Sequence, residues 1–116
     1  MEMLCKIRDI YRSILAFEGK FEQQYGICLN EGMLLCSLSK PEQLSSGEIA
    51  DLLGLTTSNT SKVIKSAECK GLIKRIMGEK DKRQMYFSLT DKGKECLLSI
   101  NCNSIEMSGL LKTLIE

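Results

Sequence analysis

Residues 56–65, Thr-Thr-Ser-Asn-Thr-Ser-Lys-Val-Ile-Lys, set short hydroxyl and amide side chains beside lysines. If this stretch is helical, Ser58, Ser61, Lys62 and Lys65 recur at i, i+3, i+4 and i+7 on one side, while Val63, Ile64 and Ala67 fall towards the other. Thr56 is the expected N-cap, its side-chain oxygen accepting from a free backbone N–H of the first turn. Donors and acceptors at a helix start, followed by cations, suit base edges and phosphates in a DNA major groove. A merely solvated helix face would carry the same residues, so the flanking elements have to decide. Candidate DNA contacts here are Thr57, Ser58, Asn59, Ser61, Lys62 and Lys65. Catalysis finds no comparable set. The chain has no histidine, no nucleophile elbow and no phosphate-cradling glycine loop, and a non-enzyme is expected.

Upstream, Ser45-x-x-Glu48 reads as a capping box that opens a short helix. Ile49, Leu52 and Leu53 give that helix an apolar stripe, Ala50 leaves room for a crossing helix, and Gly54 ends it. Two short helices joined by a glycine turn, the second polar outside, form a helix-turn-helix signature. Thr60 departs from it, standing where an apolar packing residue is usual. Downstream, Gly71 closes the second helix. The runs at 71–76 and 84–89 read as paired strands around the charged loop 77–83. Such a wing would lay Lys80, Lys82 or Arg83 along a DNA backbone or into the minor groove.

Ala67-x-x-x-Gly71-Leu72-Ile73-Lys74-Arg75, then Asp81-Lys82-Arg83, then Ser88-Leu89-Thr90-Asp91-Lys92-Gly93 resemble the winged-helix core of MarR-type transcription regulators. The resemblance covers roughly residues 30 to 100. It implies a mainly α (α+β) winged helix-turn-helix fold, with terminal helices interleaved in a homodimer. It further implies that Asp81 braces the wing, that Arg83 reaches the minor groove, and that Ser61 and Lys62 face the major groove and phosphates. The family's ligand crevice lies between dimer helices and winged domain, where Tyr11, Cys28 and Met33 are the expected lining. A small-molecule effector is thus one expected partner, beside double-stranded DNA and a second copy. The chain departs from the family in being short, chiefly after the wing, and in Thr60.

The remaining sequence sets bounds. At 116 residues, with 43% hydrophobic and 27% charged, one globular domain is expected. Its core would be thin, and domains of this size often gain stability from a partner subunit. We place a winged-helix core at 30–94 and dimerisation helices at 1–29 and 95–116. Ten basic residues against four acidic between positions 62 and 94 make that segment +6 within a chain of net +1, the footprint of a polyanion-binding face. Met3, Ile7, Ile10, Ile14, Phe17 and Phe21 form the stripe of a first helix over 2–25, widened by Leu4, Tyr11, Leu15 and Tyr25. That stripe is wide for one small domain to cover. A second helix over 30–39, apolar almost all round, should be central and end at Pro41. Leu44 adds a strand rung by resemblance. Thr90 caps a helix with an apolar face of Leu97, Leu98 and Ile100, and residues 101–104 break it, Ser104 capping a last segment.

No run reaches membrane-span length and no signal peptide opens the chain, so a cytoplasmic protein is expected. The six cysteines should then be reduced, with Cys36 packing as a small hydrophobe. No zinc-ligand spacing appears, so no metal or cofactor is expected. The leading reading is a dimeric DNA-binding regulator, expected to be a repressor of a pseudo-palindromic operator. Two other readings stay open: a winged helix that docks on another protein, and a thiol-based oxidant sensor with Cys5 as its cysteine.

Overall fold

The chain turns where local caps tell it to. In this computed structural model, which describes residues 2–78, 83–100, 105 and 107–115, two units form, Asn30–Ile100 and a second made of Met1–Leu29 with Asn101–Glu116.

Within the first, helix α2 (Leu29–Ser37) leads to strand β1 (Leu44–Ser45), helices α3 (Ser46–Leu53) and α4 (Thr57–Cys69), strands β2 (Ile73–Met77) and β3 (Met85–Leu89), and helix α5 (Asp91–Ser99). This is a winged helix-turn-helix, mainly α with a small antiparallel sheet of order β1-β3-β2. Leu44 pairs with Phe87, and β2 pairs with β3 from Ile73↔Leu89 to Met77↔Met85. Leu34, Leu35, Leu38, Leu44, Ile49, Ile64, Ala67, Leu72, Ile73, Phe87 and Leu89 are its buried apolar residues.

Both helix-turn-helix boundaries follow the capping chemistry. Ser45 Oγ accepts from the Glu48 N–H at 3.2 Å, and Glu48 Oε1 accepts from the Ser45 N–H at 3.0 Å. Gly54 takes φ 66°, a left-handed conformation that glycine adopts without steric cost. Its neighbour Leu55 donates back to the Ala50 carbonyl.

Some expectations need correction. Helix α2 ends at Ser37, four residues before Pro41. The Ser37 and Ser39 hydroxyls donate to the Met33 and Cys36 carbonyls at 2.8 and 2.7 Å, so side chains satisfy the last turn before the proline can act. The same helix is buried on one side only. Cys36 and Met33 are exposed, and Cys36 is therefore not a core hydrophobe. Leu52 is 61% exposed: the buried line of α3 runs from Ile49 towards Leu53, leaving Leu52 on its solvent flank. Leu98, at 87% exposure, likewise stands out of the apolar face expected of α5.

The second unit holds helix α1 (Glu2–Tyr25) and helix α6 (Gly109–Ile115), which pack on each other. Gly26, at φ 73°, ends α1. Phe21 is buried with its ring between Phe17 and Tyr25, centroids 6.2 and 5.0 Å away. Ser108 accepts from the Leu111 N–H at 3.3 Å and starts α6, later than the start expected at Ser104. Residues 101–104 themselves lie outside the described residues. The N-terminal half of the α1 stripe is exposed: Leu4, Ile7, Tyr11, Ile14 and Leu15 range from 40% to 63%. Among the described residues no helix is long and apolar enough to cross a membrane.

Candidate nucleic-acid interface

Helix α4 is capped at both ends, which fixes where it starts and stops. Thr56, extended at φ −67° and ψ 160°, accepts from the Asn59 N–H at 3.1 Å. At the other end Gly71 (φ 75°) donates to the Glu68 carbonyl and Leu72 to that of Ala67, at 2.9 and 3.0 Å. This is the paired closure that a left-handed C′ glycine permits. Thr60, Ile64 and Ala67 are buried, and Thr57, Ser58, Asn59, Ser61, Lys62 and Lys65 are all exposed. The six expected contacts therefore line the solvent side of one helix.

Thr60 explains its own departure. It is 1% exposed, yet its Oγ1 donates to the Thr56 carbonyl at 2.7 Å, sharing that acceptor with its own N–H at 2.9 Å. The hydroxyl is satisfied within the helix, so the buried position tolerates it.

The wing lies beside α4. Gly78 donates to the Gln84 carbonyl at 2.8 Å near the hairpin end, and Arg83 is exposed. Lys80, Asp81 and Lys82, the expected tip contacts and brace, lie outside the described residues. Midway along β2, Arg75 pairs with Glu68 of α4 through Nε and a terminal nitrogen, at 2.8 and 3.1 Å, and covers the Phe87 ring at 5.5 Å. The wing and helix are thereby tied by a bidentate pair that the sequence reading did not anticipate. Its signal, an acid and a base seven residues apart across a glycine turn, is weak.

A second missed residue is Glu31. It is the sole charged residue of α2 and is 1% exposed. Its carboxylate accepts from Ser66 Oγ at 3.0 Å and from Lys70 Nζ at 2.7 Å, both on or at the end of α4. The available signal was a lone acid in an apolar run. Burial first, and then the Glu31 carboxylate, push the Cys96 thiol of α5 up, with Lys92 opposing. The exposed cysteines include Cys5, Cys36 and Cys69, while Cys28 and Cys96 are half-buried.

The junction between wing and α5 accounts for the Leu89-Thr90-Asp91-Lys92-Gly93 run. Thr90 donates through its N–H to the Leu72 carbonyl at 3.0 Å and through Oγ1 to that of Gly71 at 2.6 Å. It also accepts from the Gly93 N–H at 3.0 Å, capping α5. A Cβ on Gly93 would stand 2.0 Å from the Leu72 oxygen. Only glycine lets the helix start so near that backbone.

Residues 27–85 match the MarR family model. The chain belongs to the MarR family. Among its relatives, the HTH-type transcriptional regulator YwaE of Bacillus subtilis is 28% identical over 101 residues, covering 84% of this chain and 59% of that protein. The HTH-type transcriptional regulator TtmR of Methylorubrum extorquens is 30% identical over 100 residues, covering 86% of this chain and 48% of that protein. The chain thus spans about half the length of these curated relatives. Among solved structures, the transcriptional regulator BldR from Sulfolobus solfataricus superposes with a TM-score of 0.77 at 27% identity, over 98% of this chain and 77% of that one.

The effector-lining residues expected from the MarR resemblance are placed as follows. Tyr11 is 61% exposed in the middle of α1, Cys28 is half-buried beyond its end, and Met33 is 39% exposed on α2. Fourteen steps of helix carry the chain roughly 20 Å from Tyr11 to Tyr25, and Cys28 follows beyond the turn at Gly26. Among the described residues, two cavities each lie within one unit without any of the three in their lining. One, about 470 Å³, is lined by Leu38, Lys74, Ile76, Lys94, Leu97 and Leu98 among others.

Proposed function

We propose that this MarR-family chain is a transcriptional regulator that binds double-stranded DNA as a homodimer, α4 reading the major groove and the wing the minor groove. The observation that carries the reading is the exposed row Thr57, Ser58, Asn59, Ser61, Lys62 and Lys65 on a helix capped at both ends. Its hydroxyls and amide suit base edges, and its lysines suit phosphates. Arg83, and the Lys80 and Lys82 of the tip, would follow the backbone or the narrow groove. The names of YwaE and TtmR support the regulatory part of the reading.

The dimer rests on the exposed apolar stripe of α1, from Leu4 through Ile7 and Tyr11 to Ile14 and Leu15, with Leu114 and Ile115 of α6 also exposed. A contiguous apolar patch of this kind marks an interaction surface. A second copy would bury it and set two reading helices about one DNA turn apart over a pseudo-palindrome. Repression then follows from occupying an operator in the cytoplasm. A small molecule that binds better to one spacing of the two heads would shift the population and release the DNA.

The test is selection of bound duplexes from a random pool, followed by titration of the winning site at two salt concentrations. A palindromic preference, steep salt dependence, and weaker binding by both Lys62→Ala and Arg83→Ala support the regulator. Equal weak binding to every duplex, with a tight protein partner, would replace it by an interaction module. Oxidant-dependent release that Cys5→Ser abolishes would point instead to a thiol sensor.

A further inference from the structure

We infer that Glu31 is a positioning residue of the reading helix, setting the roll of α4 through Ser66 and Lys70; this rests on the reading of α4 as the DNA-contacting element. The buried contact line of α4 is Thr60, Ile64 and Ala67, with the Thr60 hydroxyl satisfied inside the helix. Apolar contact is non-directional, and one such line leaves a helix free to roll about it by a small angle. Two directional ties oppose that roll: the Arg75–Glu68 pair on the wing side, more than half exposed at Arg75, and, on the α2 side, the buried Glu31. Its carboxylate holds Ser66 at 3.0 Å and Lys70 at 2.7 Å, distances that a charge-assisted hydrogen bond enforces tightly.

The geometry places this clamp at the flank of the reading face. Ser66 lies one turn below Lys62, about 40° round the helix axis, and Lys70 lies a further turn on. A roll of about 20° at a side-chain radius of roughly 6 Å would move the reading groups by about 2 Å, more than the spread of hydrogen-bond lengths that base recognition tolerates. Glu31 touches no DNA in this scheme. It acts through α4, and it holds Lys70 on the protein rather than on a phosphate.

Positioning differs from simple stabilisation in a measurable way. Glu31 is buried and Lys70 half-buried; replacing both with apolar groups leaves no uncompensated buried charge, whereas removing one partner does, so selectivity and stability can be separated. The test compares the full chain with Glu31→Gln, Lys70→Met and the double variant Glu31→Met/Lys70→Met. Affinities are measured for the duplex selected by the unchanged protein and for a scrambled one, at two salt concentrations, with thermal midpoints beside them.

The expected result is a loss of selected-over-scrambled preference of about tenfold in each variant. The double variant should lose no more than either single one while keeping its thermal midpoint. The salt slope should stay unchanged. If the single variants do not fold, the double variant carries the comparison alone. Preference retained in folded variants overturns the inference. So does a Lys70→Met slope shallower by about one with uniform weakening, which would make Lys70 a phosphate contact. No preference in the unchanged protein overturns the reading of α4, and the clamp's role with it.

Discussion

Two glycines in first turns of helices should respond to alanine with opposite signs. Gly47 in α3 has nothing nearer to an added Cβ than Ser45 Oγ at 4.0 Å, whereas at Gly93 in α5 the Leu72 carbonyl oxygen would be 2.0 Å away and its carbon 3.0 Å. Neither has a positive φ, so helix propensity alone favours alanine at both by up to about 1 kcal/mol. At Gly47 that gain should appear. At Gly93 the helix start must move by more than about 1 Å to restore ordinary contact distance. The obstacle is backbone, so no side chain can yield. The movement strains the Thr90 bonds to the Leu72 and Gly71 carbonyls, now 3.0 and 2.6 Å.

Overpacking costs about 1–3 kcal/mol, and two loosened hydrogen bonds add about 1 kcal/mol each. Against the propensity gain, Gly93→Ala should lose about 2–4 kcal/mol, or roughly 10–25 °C in Tm for a chain this size. Urea unfolding should show a lower midpoint at unchanged slope, because surface exposure on unfolding is the same. A Gly93→Ala midpoint equal to or above that of the unchanged protein would refute the reasoning, since propensity would then have outweighed the close approach.

Thr60→Val should change stability by less than about 1 kcal/mol, because the Thr56 carbonyl keeps the Thr60 N–H as donor when the hydroxyl goes; a loss above about 2 kcal/mol in urea unfolding would show that the hydroxyl has another role. The Glu48 carboxyl is held below its ordinary 4.5, first by the Ser45 backbone N–H and then by the Ser45 hydroxyl. A depressed carboxyl stabilises fully above its unfolded value and loses that contribution as pH falls through the folded one. Urea midpoints of Glu48→Gln should therefore fall less steeply with acid below about pH 4.5 than those of the unchanged protein, and parallel curves would contradict the capping box. Cys96, whose thiol is pushed up by burial and then by Glu31, should be alkylated by iodoacetamide more slowly than the exposed Cys5, Cys36 and Cys69. Peptide mass spectrometry over time would read the order, and Cys96 reacting as fast as Cys69 would contradict its assigned surroundings.

What could be read from the residues was local. The capping box joins positions three apart, and the Thr56 cap, the Gly54 turn and the Gly71 closure each act within one helical turn. The wing strands followed from two short runs of β-branched or aromatic residues in loose alternation around a charged loop, and the family match covers residues 27–85. The exposed polar row emerged for the same reason, because period 3.6 separates Ser61, Lys62 and Lys65 from Ile64 and Ala67 on any helix. Cys36 and Leu52 went wrong where apolar character was taken for burial; a helix of eight or nine residues has only one side to bury.

Long-range charge pairing was the illegible part, and it changes the electrostatic argument. A count over positions 62–94 includes Lys70 but not Glu31, which lies outside that window and neutralises it at 2.7 Å. The same count includes both Arg75 and Glu68 as if they were independent, although they form one bidentate pair between β2 and α4. Lys70 and Arg75 are therefore scaffold cations, holding α4 to α2 and to the wing. Counterion release belongs to cations that reach phosphate. If α4 and the wing contact DNA as proposed, a salt slope computed from all ten basic residues, Lys70 and Arg75 included, would overstate the number of phosphate contacts.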